Sequence, residues 1–299
     1  DPTFDIEGVD AAHKATLMAS IAFGVPVQFD KTYVEGITKL EAADIKYAEQ
    51  LGYRIKLLGI TKRTDKGVEL RVHPSLIPAK RLIANVEGAM NAVLVQGDAV
   101  GATLYYGKGA GSEPTASAVI ADLVDIVRQA IAEKGRLTEK VVEAAFAAGD
   151  KKLYKDASDR FLRLILLQDE LLATRPEFKV GTWIARARSL GGTPEEKELY
   201  EWNARVQITT WGNRLAADEG GLRDYAHREW NGILKDFYYM RWKTWFDYQT
   251  RLLDGRKTAA IDFYAIEERW TKATNVYSSE PEGDCISTVK RIFVEIFGK

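Results

Sequence analysis

The chain has 299 residues, a formal net charge of −1 at pH 7 and a hydrophobic share of 46%, values typical of a globular protein with room for two domains. The near-neutral charge gives no indication of a nucleic-acid partner. Its single cysteine excludes an internal disulfide, and its three histidines are too scattered to predict a metal site. Charged residues interrupt every apolar stretch before the ~18 residues that a membrane-spanning helix needs, so we expect no membrane partner.

The composition changes along the chain. All seven tryptophans lie at or after Trp183. The hydrophobic pattern also changes, from mixed helix and strand to helix alone, between residues 128 and 137. We therefore predict two modules: an α+β module with a mixed sheet at residues 1–128, and an all-α helical module at 137–299, joined by a junction at 129–136.

The first module is predicted to combine helices with strands. Its first helix is expected to end at Gly24-Val25-Pro26, and a turn at Asp65-Lys66-Gly67 separates two strand-like runs. The predicted elements are helices at 10–23 and 40–51, a hairpin of strands 53–61 and 67–73, a second hairpin of strands 91–97 and 100–107, and a glycine-rich loop with a long helix at 107–127.

The second module is predicted to be helical throughout. Thr138 fits the N-cap of its first helix, and Thr193 with Pro194 fits the start of its third. Aromatic residues at helical spacing indicate a long helix at 222–253. The predicted helices are 137–150, 153–175, 193–211, 222–253, 257–274 and 284–297.

Asp10 and Lys14 form a candidate acid–base pair near the start of the chain. Because they are four positions apart, they share one face of the predicted helix and can pair. A lysine held by a carboxylate can carry a proton to or from a reacting oxygen, which hydride transfer requires beside its cofactor. The alternative is a solvated surface pair, and the spacing alone favours it because such pairs are common.

Several stretches of the first module match one enzyme family and follow one another in the same order as in that family. They are "DPTFDIEGVDAAHK", "SIAFGVPV", "YVEGITKLEAADIKYAEQLGYRIKLLG", "HPSLIP" and "GKGAGSEPTASAVIADL". On these stretches, residues 1–128 resemble the second part of the catalytic region of homoserine dehydrogenase, a cytoplasmic oxidoreductase that interconverts homoserine and aspartate semialdehyde with NAD(P). The resemblance implies that Lys14 carries the proton, that Asp10 assists it, and that Asp5 orders the lysine and the polar groups of the substrate. It also implies a dimer contact through the sheet, and hence a homo-oligomer.

Three glycines, Gly107, Gly109 and Gly111, lie in the loop before the long helix. The loop lacks the G-x-G-x-x-G spacing and the βαβ setting of a dinucleotide site, so a tight turn is one interpretation. The resemblance implies that the loop leads back toward the cofactor domain, which makes these glycines candidates for backbone contact with the cofactor. In the family a Rossmann domain precedes this region, so we expect NAD(P) to bind only if such a domain is supplied.

Long stretches of the second module belong to another family. They are "LLATRPEFKVGTWIARAR", "YEWNARVQITTWG", "LRDYAHREWNGILKDFYYMRW" and "SEPEGDCISTVKRIF". On these stretches, residues 137–299 resemble the C-terminal helical domain of α-N-acetylglucosaminidase, glycoside hydrolase family 89, whose members hydrolyse terminal α-linked N-acetylglucosamine. Aromatic residues at helical spacing are usually core residues, but indole and phenol rings also stack on sugar rings.

The second resemblance implies that this module lines one side of a sugar-binding cleft. Trp211, Leu222 and Tyr225 are the residues expected to surround an N-acetylglucosamine. The two catalytic carboxylates of the family lie on a barrel domain that precedes this one, so no glutamate here is assigned a catalytic role. The parent enzymes of this family are secreted, periplasmic or lysosomal, and the compartment of the joined chain is unknown.

Three hypotheses about function follow from the two resemblances. The first is a dehydrogenase that works when a nucleotide-binding domain is supplied in trans, and the second is a carbohydrate-binding or accessory module. The third, which we favour, is a chimeric or composite chain of two enzyme fragments without complete activity alone. A helix unbroken through residues 114–150 is expected for a deliberate fusion, whereas a break near 128–137 is expected for a composite.

Overall fold

The computed structural model describes residues 2–109, 111–224 and 226–298. The chain divides into two compact units, Asp1–Thr115 and Ala116–Lys299. The first unit contains a small mixed sheet with helices, and the second is largely helical. This architecture confirms the predicted order of an α+β module followed by an all-α module.

Two separate sheets organise the first unit. Strand order in the larger sheet is β1-β3-β2, with β1 parallel and β2 antiparallel to β3. Strands β4 and β5 form an antiparallel ribbon of their own. The elements of this unit are α1 (Thr3–Ile6), α2 (Val9–Phe23), β1 (Tyr33–Val34), α3 (Ala42–Gln50), β2 (Tyr53–Thr64), β3 (Gly67–Pro78), β4 (Met90–Gly97) and β5 (Gly101–Lys108).

A face of small residues on α2 lies directly against the larger sheet. An added Cβ at Gly59 of β2 would come within 3.2 Å of the Ala11 carbonyl oxygen and of the Ala15 Cβ. A side chain at this position would force the helix and the strand apart by a few tenths of an ångström, so glycine favours their close approach. The buried residues of α2 are Ala12, Ala15, Thr16 and Ala19.

The second unit consists of helices joined by loops of different lengths. A π-helical segment, Leu234–Tyr238, leads directly into α9. The helices are α4 (Ser112–Ala148), which begins just before the unit boundary, α5 (Lys151–Ala173), α6 (Val180–Ser189), α7 (Pro194–Gln207), α8 (Arg214–Asp218), α9 (Tyr239–Leu253), α10 (Phe263–Thr271) and α11 (Cys285–Phe297). Among the described residues, none of these helices is long and apolar enough to span a membrane.

Helix α4 corrects the prediction that a new helix starts at Thr138. The Thr138 hydroxyl donates a hydrogen bond to the Lys134 carbonyl oxygen at 2.7 Å, so this side chain is satisfied inside a continuous helix. The predicted junction at 129–136 is helical as well. The helix ends at Gly149, whose φ of 70° marks the left-handed C-terminal position. The helix thus runs through the predicted junction without a break.

The prediction of one helix at 222–253 is wrong in its first part, because the described residues from 222 to 232 are not helical. Asp224 and His227 have positive φ values of 55° and 43°, which a helix does not allow. Gly232 has a φ of 91°, and an added Cβ there would lie 2.7 Å from side-chain atoms of Val180 and Tyr277. Trp230, an aromatic residue of this non-helical segment, is partly buried against the core of the unit.

The core of the second unit joins α4 to the later helices. Three residues of α4, Val124, Val127 and Ile131, are buried in it. The other members include Leu164, Leu167, Leu171, Leu172, Val180, Ile233, Phe237, Trp270, Ile292 and Ile296. A second cluster contains Val142, Tyr154, Leu162 and Phe246. Residues of the homoserine dehydrogenase-like stretch thus contribute side chains to the helical core.

Candidate functional sites

The predicted proton-handling residues lie at the corner between α1 and α2. Gly8 joins the two helices with a φ of 77°, and an added Cβ there would lie 3.1 Å from Val72. An added Cβ at Gly36 would lie only 2.4 Å from the carbonyl oxygen of Ile6. Tight backbone packing on both sides therefore fixes the helix corner and the residues that follow it.

Lys14 and Asp10 pair on the first turns of α2, as their spacing predicts. The Lys14 Nζ donates to the Asp10 Oδ2 at 2.5 Å, and both side chains are accessible to solvent. Asp5 lies on α1 and is exposed; among the described residues its carboxylate makes no hydrogen bond or ion pair. An exposed pair of this kind contributes only ~0–1 kcal/mol to stability, and a role in proton transfer stays a prediction.

Two of the three glycines before α4 occupy places where a side chain does not fit well or where φ is positive. An added Cβ at Gly109 would lie 2.7 Å from the side-chain amide nitrogen of Asn91, and Gly111 has a φ of 119°. Gly107 is part of β5. These positions are explained by a tight turn, and contact with a cofactor stays a prediction.

Trp211 and Leu222 lie at the two ends of one loop, and the backbone brings them together. The Trp211 N–H donates to the Leu222 carbonyl oxygen at 3.2 Å, and the Asp224 N–H donates to the Thr209 carbonyl oxygen at 2.7 Å. The Trp211 side chain is 44% exposed. Tyr225, the third predicted sugar contact, lies outside the described residues. The base of the loop is therefore a fixed backbone ladder that presents an accessible indole.

The interior of this loop contains α8, which the sequence analysis did not predict. Asn213 caps α8 by accepting a hydrogen bond from the Ala216 N–H at 3.0 Å. Arg214 donates two hydrogen bonds to the Asp262 carboxylate, at 2.9 and 2.8 Å. This pairing lowers the pKa of Asp262 to about 2, and the Ala265 N–H contributes to the shift. The loop is thus attached to the N-cap residue of α10.

A buried carboxylate contacts residues at both ends of the loop. Glu267 of α10 is fully buried. It accepts a hydrogen bond from the Thr210 hydroxyl at 2.6 Å and lies 3.3 Å from the Arg223 Nε and 3.2 Å from the Arg241 Nε. Because Thr210 and Arg223 flank the loop, Glu267 ties both of its ends to α10.

Arg241 extends this network to a second carboxylate. Its Nη1 donates to the Asp224 Oδ2 at 3.1 Å, while the Tyr238 hydroxyl donates to the Asp224 Oδ1 at 2.6 Å. Burial, followed by the hydrogen bond to Asp224, raises the pKa of Tyr238 far above its usual range, so this hydroxyl stays protonated. Together Glu267, Arg241 and Asp224 form a polar network, which we call the loop anchor. Among the described residues, no group of three histidine, cysteine or carboxylate side chains is placed to hold a metal.

The sequence analysis missed the loop anchor, although one signal was available. Glu267 lies three residues after Tyr264 and three before Trp270, so it shares the buried face of α10 with two aromatic residues. A charged residue in the middle of an apolar helical face indicates a buried and paired group. The neighbouring Glu268 lies off that face and pairs with Lys272 near the surface.

Comparison with known proteins confirms both resemblances. The sequence profile of the homoserine dehydrogenase family matches residues 1–124. The homoserine dehydrogenase of Pseudomonas aeruginosa is 72% identical over 128 residues, which are 43% of this chain and 30% of that enzyme. The chain thus spans less than a third of the length of the curated relatives that it matches.

Solved structures match the helical part. The CpGH89 protein of Clostridium perfringens, in complex with its substrate GlcNAc-α-1,4-galactose, is 36% identical with a TM-score of 0.57. This match covers 60% of our chain and 21% of that chain. A family 89 glycoside hydrolase from the same organism, in complex with 2-acetamido-1,2-dideoxynojirmycin, is also 36% identical, with the same coverage and a TM-score of 0.56. The profile described as "Alpha-N-acetylglucosaminidase (NAGLU) C-terminal domain" matches residues 84–295, well over half of the chain. The chain therefore belongs to the family of α-N-acetylglucosaminidase C-terminal domains.

Proposed function

We propose that the 299-residue chain is a fusion of two enzyme fragments that completes neither parent reaction by itself. The observation that carries this proposal is helix α4, which runs unbroken from Ser112 to Ala148. The homoserine dehydrogenase match ends at residue 124 and the C-terminal-domain match begins at residue 84, so the two matches overlap on this helix, and Val124 within the overlap is buried in the core of the helical unit. One folded helix thus joins the two sequence families.

The missing activity has a structural reason on the dehydrogenase side. In the described residues, the sheets are a three-stranded mixed sheet and a two-stranded ribbon. Neither contains the βαβ unit whose helix N-terminus holds the pyrophosphate of a dinucleotide. NAD(P) binding therefore requires a Rossmann domain supplied from elsewhere. On the glycosidase side, the two carboxylates that the reaction needs are expected on a barrel domain.

In such a complete assembly, the first unit handles the proton of homoserine oxidation. A bound nicotinamide would accept the hydride from the carbon that bears the hydroxyl. Lys14 would act as a neutral amine that accepts the hydroxyl proton, and the resulting ammonium, paired with Asp10, would return this proton to the oxygen of aspartate semialdehyde in the reverse direction. Asp5 orders the lysine and substrate, and Gly107, Gly109 and Gly111 pass near the cofactor.

We expect no homoserine-dependent reduction of NADP by the chain alone, and measurable reduction after a separate homoserine dehydrogenase Rossmann domain is added. Lys14→Ala should abolish the restored activity, whereas Lys31→Ala, at another exposed lysine of the same unit, should not. The measurement is the absorbance of NADPH. Turnover by the chain alone would overturn the proposal of incompleteness, and no turnover with the added domain would exclude proton transfer by the first unit.

A second candidate function is carbohydrate binding by the helical unit. It rests on the accessible Trp211, which the loop anchor holds beside Leu222. The related C. perfringens protein is described in complex with a substrate that carries N-acetylglucosamine. An indole fixed in this way offers an apolar face to a sugar ring without further ordering.

Trp211→Ala should weaken N-acetylglucosamine binding about fivefold or more, which corresponds to ~1 kcal/mol of lost contact. The matched control is Trp202→Ala on α7, because the Trp202 side chain is 42% exposed and the Trp211 side chain 44%. Ligand-observed NMR or calorimetry on the full chain gives the affinities. Equal binding by both variants would show that Trp211 does not contact the sugar.

Self-association through the first unit is also part of the proposal. The β4–β5 ribbon pairs with no other strand among the described residues and exposes apolar side chains, among them Leu94, Tyr105 and Tyr106. A ribbon with free edges and exposed apolar residues favours pairing with a second copy. We expect gel filtration to give an apparent mass above the 33.5 kDa of one chain. A clean monomer at low concentration contradicts this expectation.

A further inference from the structure

A surface cavity of about 600 Å³ lies in the helical unit, away from the residues assigned above. Its walls are the 3₁₀ turn Pro176–Phe178, the first two turns of α6, and residues 228–230. The volume lies within the range of small-molecule sites, ~300–1,000 Å³. We therefore asked which ligand chemistry its side chains fit.

The cavity is built on a fixed backbone. The Asn231 N–H donates to the Phe178 carbonyl oxygen at 2.8 Å, and the Val180 N–H donates to the Asn231 carbonyl oxygen at 3.2 Å. The buried carboxylate of Asp169 accepts from the Asn231 side chain at 2.8 Å and from the Gly232 N–H at 2.6 Å. The two walls are thus held together without a ligand, so binding requires little ordering of the chain.

Successive side chains of the segment before Gly232 line two different cavities in turn. Arg228 and Trp230 line the cavity described here, whereas His227 and Glu229 line a different one of about 320 Å³. The two sets of residues can therefore be tested separately.

Two tryptophans give the cavity an apolar wall. The ring centroids of Trp183 and Trp230 lie 6.2 Å apart, and their planes are tilted by 54°. The Trp183 Nε1 donates to the Ala204 carbonyl oxygen at 2.9 Å, so the polar edge of this indole is already satisfied. Because the tilted rings already contact each other, they cannot sandwich a flat base between them. A single indole face suits the C–H face of a sugar ring better.

The charge of the cavity favours an anion. Among the described residues, neither Arg186 nor Arg228 has a carboxylate partner. The Arg228 guanidinium lies 5.7 Å from the centroid of the Trp230 ring, which positions it without neutralising it. Lys179 is already paired, with Glu282 at 2.7 Å. Free arginines in a cavity are suited to bidentate binding of planar or tetrahedral anions.

One negative group limits the charge of the ligand. Glu177 also lines the cavity, and it is paired with Arg175 at 2.6 Å. A nucleotide with several phosphate charges would meet this carboxylate, whereas a sugar hydroxyl can donate a hydrogen bond to it. The lining groups therefore fit a ligand with one negative charge and several hydroxyls.

We propose that this cavity binds a saccharide that carries a single carboxylate or sulfate group, with its ring against Trp183 or Trp230 and its anionic group held by Arg186 and Arg228. The site is separate from the Trp211 loop and does not rest on the proposed function. It gives the helical unit a second sugar-binding surface that selects by charge.

The test is calorimetric titration of the full chain with glucuronate, glucose 6-sulfate, glucose and inorganic sulfate at low ionic strength. Glucuronate or glucose 6-sulfate should bind more tightly than glucose and inorganic sulfate, and comparison of the two identifies the preferred anionic group. The double variant Arg186→Gln/Arg228→Gln should weaken this binding about tenfold or more, because each charge-assisted pair is lost. Both arginines are exposed, so the fold should persist.

Two controls separate this site from others. Arg160→Gln, at an exposed arginine of α5, should leave the affinity unchanged, and Trp211→Ala shows whether the sugar anion binds at the Trp211 loop instead. Equal binding of inorganic sulfate and the sugar anions would reduce the cavity to a simple anion site and overturn the proposal. The same holds if the double variant binds like the unchanged chain, if Trp211→Ala alone removes binding, or if no sugar anion binds more tightly than glucose.

Discussion

Replacing Glu267 with alanine should lower the free energy of unfolding of the helical unit by ~3–5 kcal/mol, the cost of removing one partner of a buried ion pair. The carboxylate is fully buried between Arg223 and Arg241 and also accepts from the Thr210 hydroxyl. Its loss leaves that hydroxyl without its acceptor and removes negative charge beside two cations. Chemical denaturation followed by tryptophan fluorescence measures the effect on this unit alone, because all seven tryptophans lie at or after Trp183.

The adjacent residue provides the control for this prediction. Glu268 pairs with Lys272 at 2.8 Å near the surface, so Glu268→Ala should cost less than ~1 kcal/mol. Glu267→Gln keeps an oxygen that can accept from Thr210 and should cost less than Glu267→Ala. If Glu267→Ala and Glu268→Ala lowered the free energy of unfolding by similar amounts, the burial of Glu267 would not be what stabilises the loop anchor.

Ile131→Ala should destabilise the helical unit by ~2–5 kcal/mol, the usual cost of truncating a buried isoleucine to alanine. Ile131 is 2% exposed in the core, where it follows Val124 and Val127 on the same face of α4. This variant tests whether the region where the two sequence families meet contributes to the stability of the helical unit. Urea denaturation monitored by tryptophan fluorescence gives the free energy of unfolding.

Ile126→Ala is the matched control, on the same helix and with the same chemical change. The Ile126 side chain is 61% exposed, so the free energy of unfolding should change by less than ~0.5 kcal/mol. If both variants lost the same stability, or if neither did, then α4 would not be packed into the helical core in solution. The proposal that the chain is a folded fusion would then be wrong.

Much of the fold was predictable from local signals. The Asp65-Lys66-Gly67 turn set the pairing of β2 with β3, although both strands are longer than predicted. The cap at Thr193 forms as expected, with reciprocal hydrogen bonds to Glu196. These features depend on a few neighbouring residues, which is why a single sequence contains them.

The helix boundaries that were predicted incorrectly depend on contacts between residues far apart in the sequence. Thr138 has the residue type of an N-cap, but the helix before it continues because Val142 and Ala145 are buried as well as Ile131. The helix predicted from residue 222 actually begins near Leu234, because Gly232 must fit against Val180 and Tyr277. Neither constraint is visible in the local pattern of apolar residues.

The candidate site, like the fold, was predictable from the sequence only in part. Resemblance placed Trp211 and Leu222 together, and the backbone ladder joins them. The charges that hold the loop come from α9 and α10, tens of residues further along the chain. No spacing rule connects Arg241 with Glu267 or Asp224, so the loop anchor was beyond prediction from sequence alone.

The bridging position of Arg241 has a kinetic consequence for any ligand of the Trp211 loop. A large movement of the loop would separate buried opposite charges at both Glu267 and Asp224. We therefore expect the loop to keep the same shape before and after a ligand binds. Association should then follow a single exponential whose rate rises linearly with ligand concentration, without the slow phase that marks a conformational change after binding.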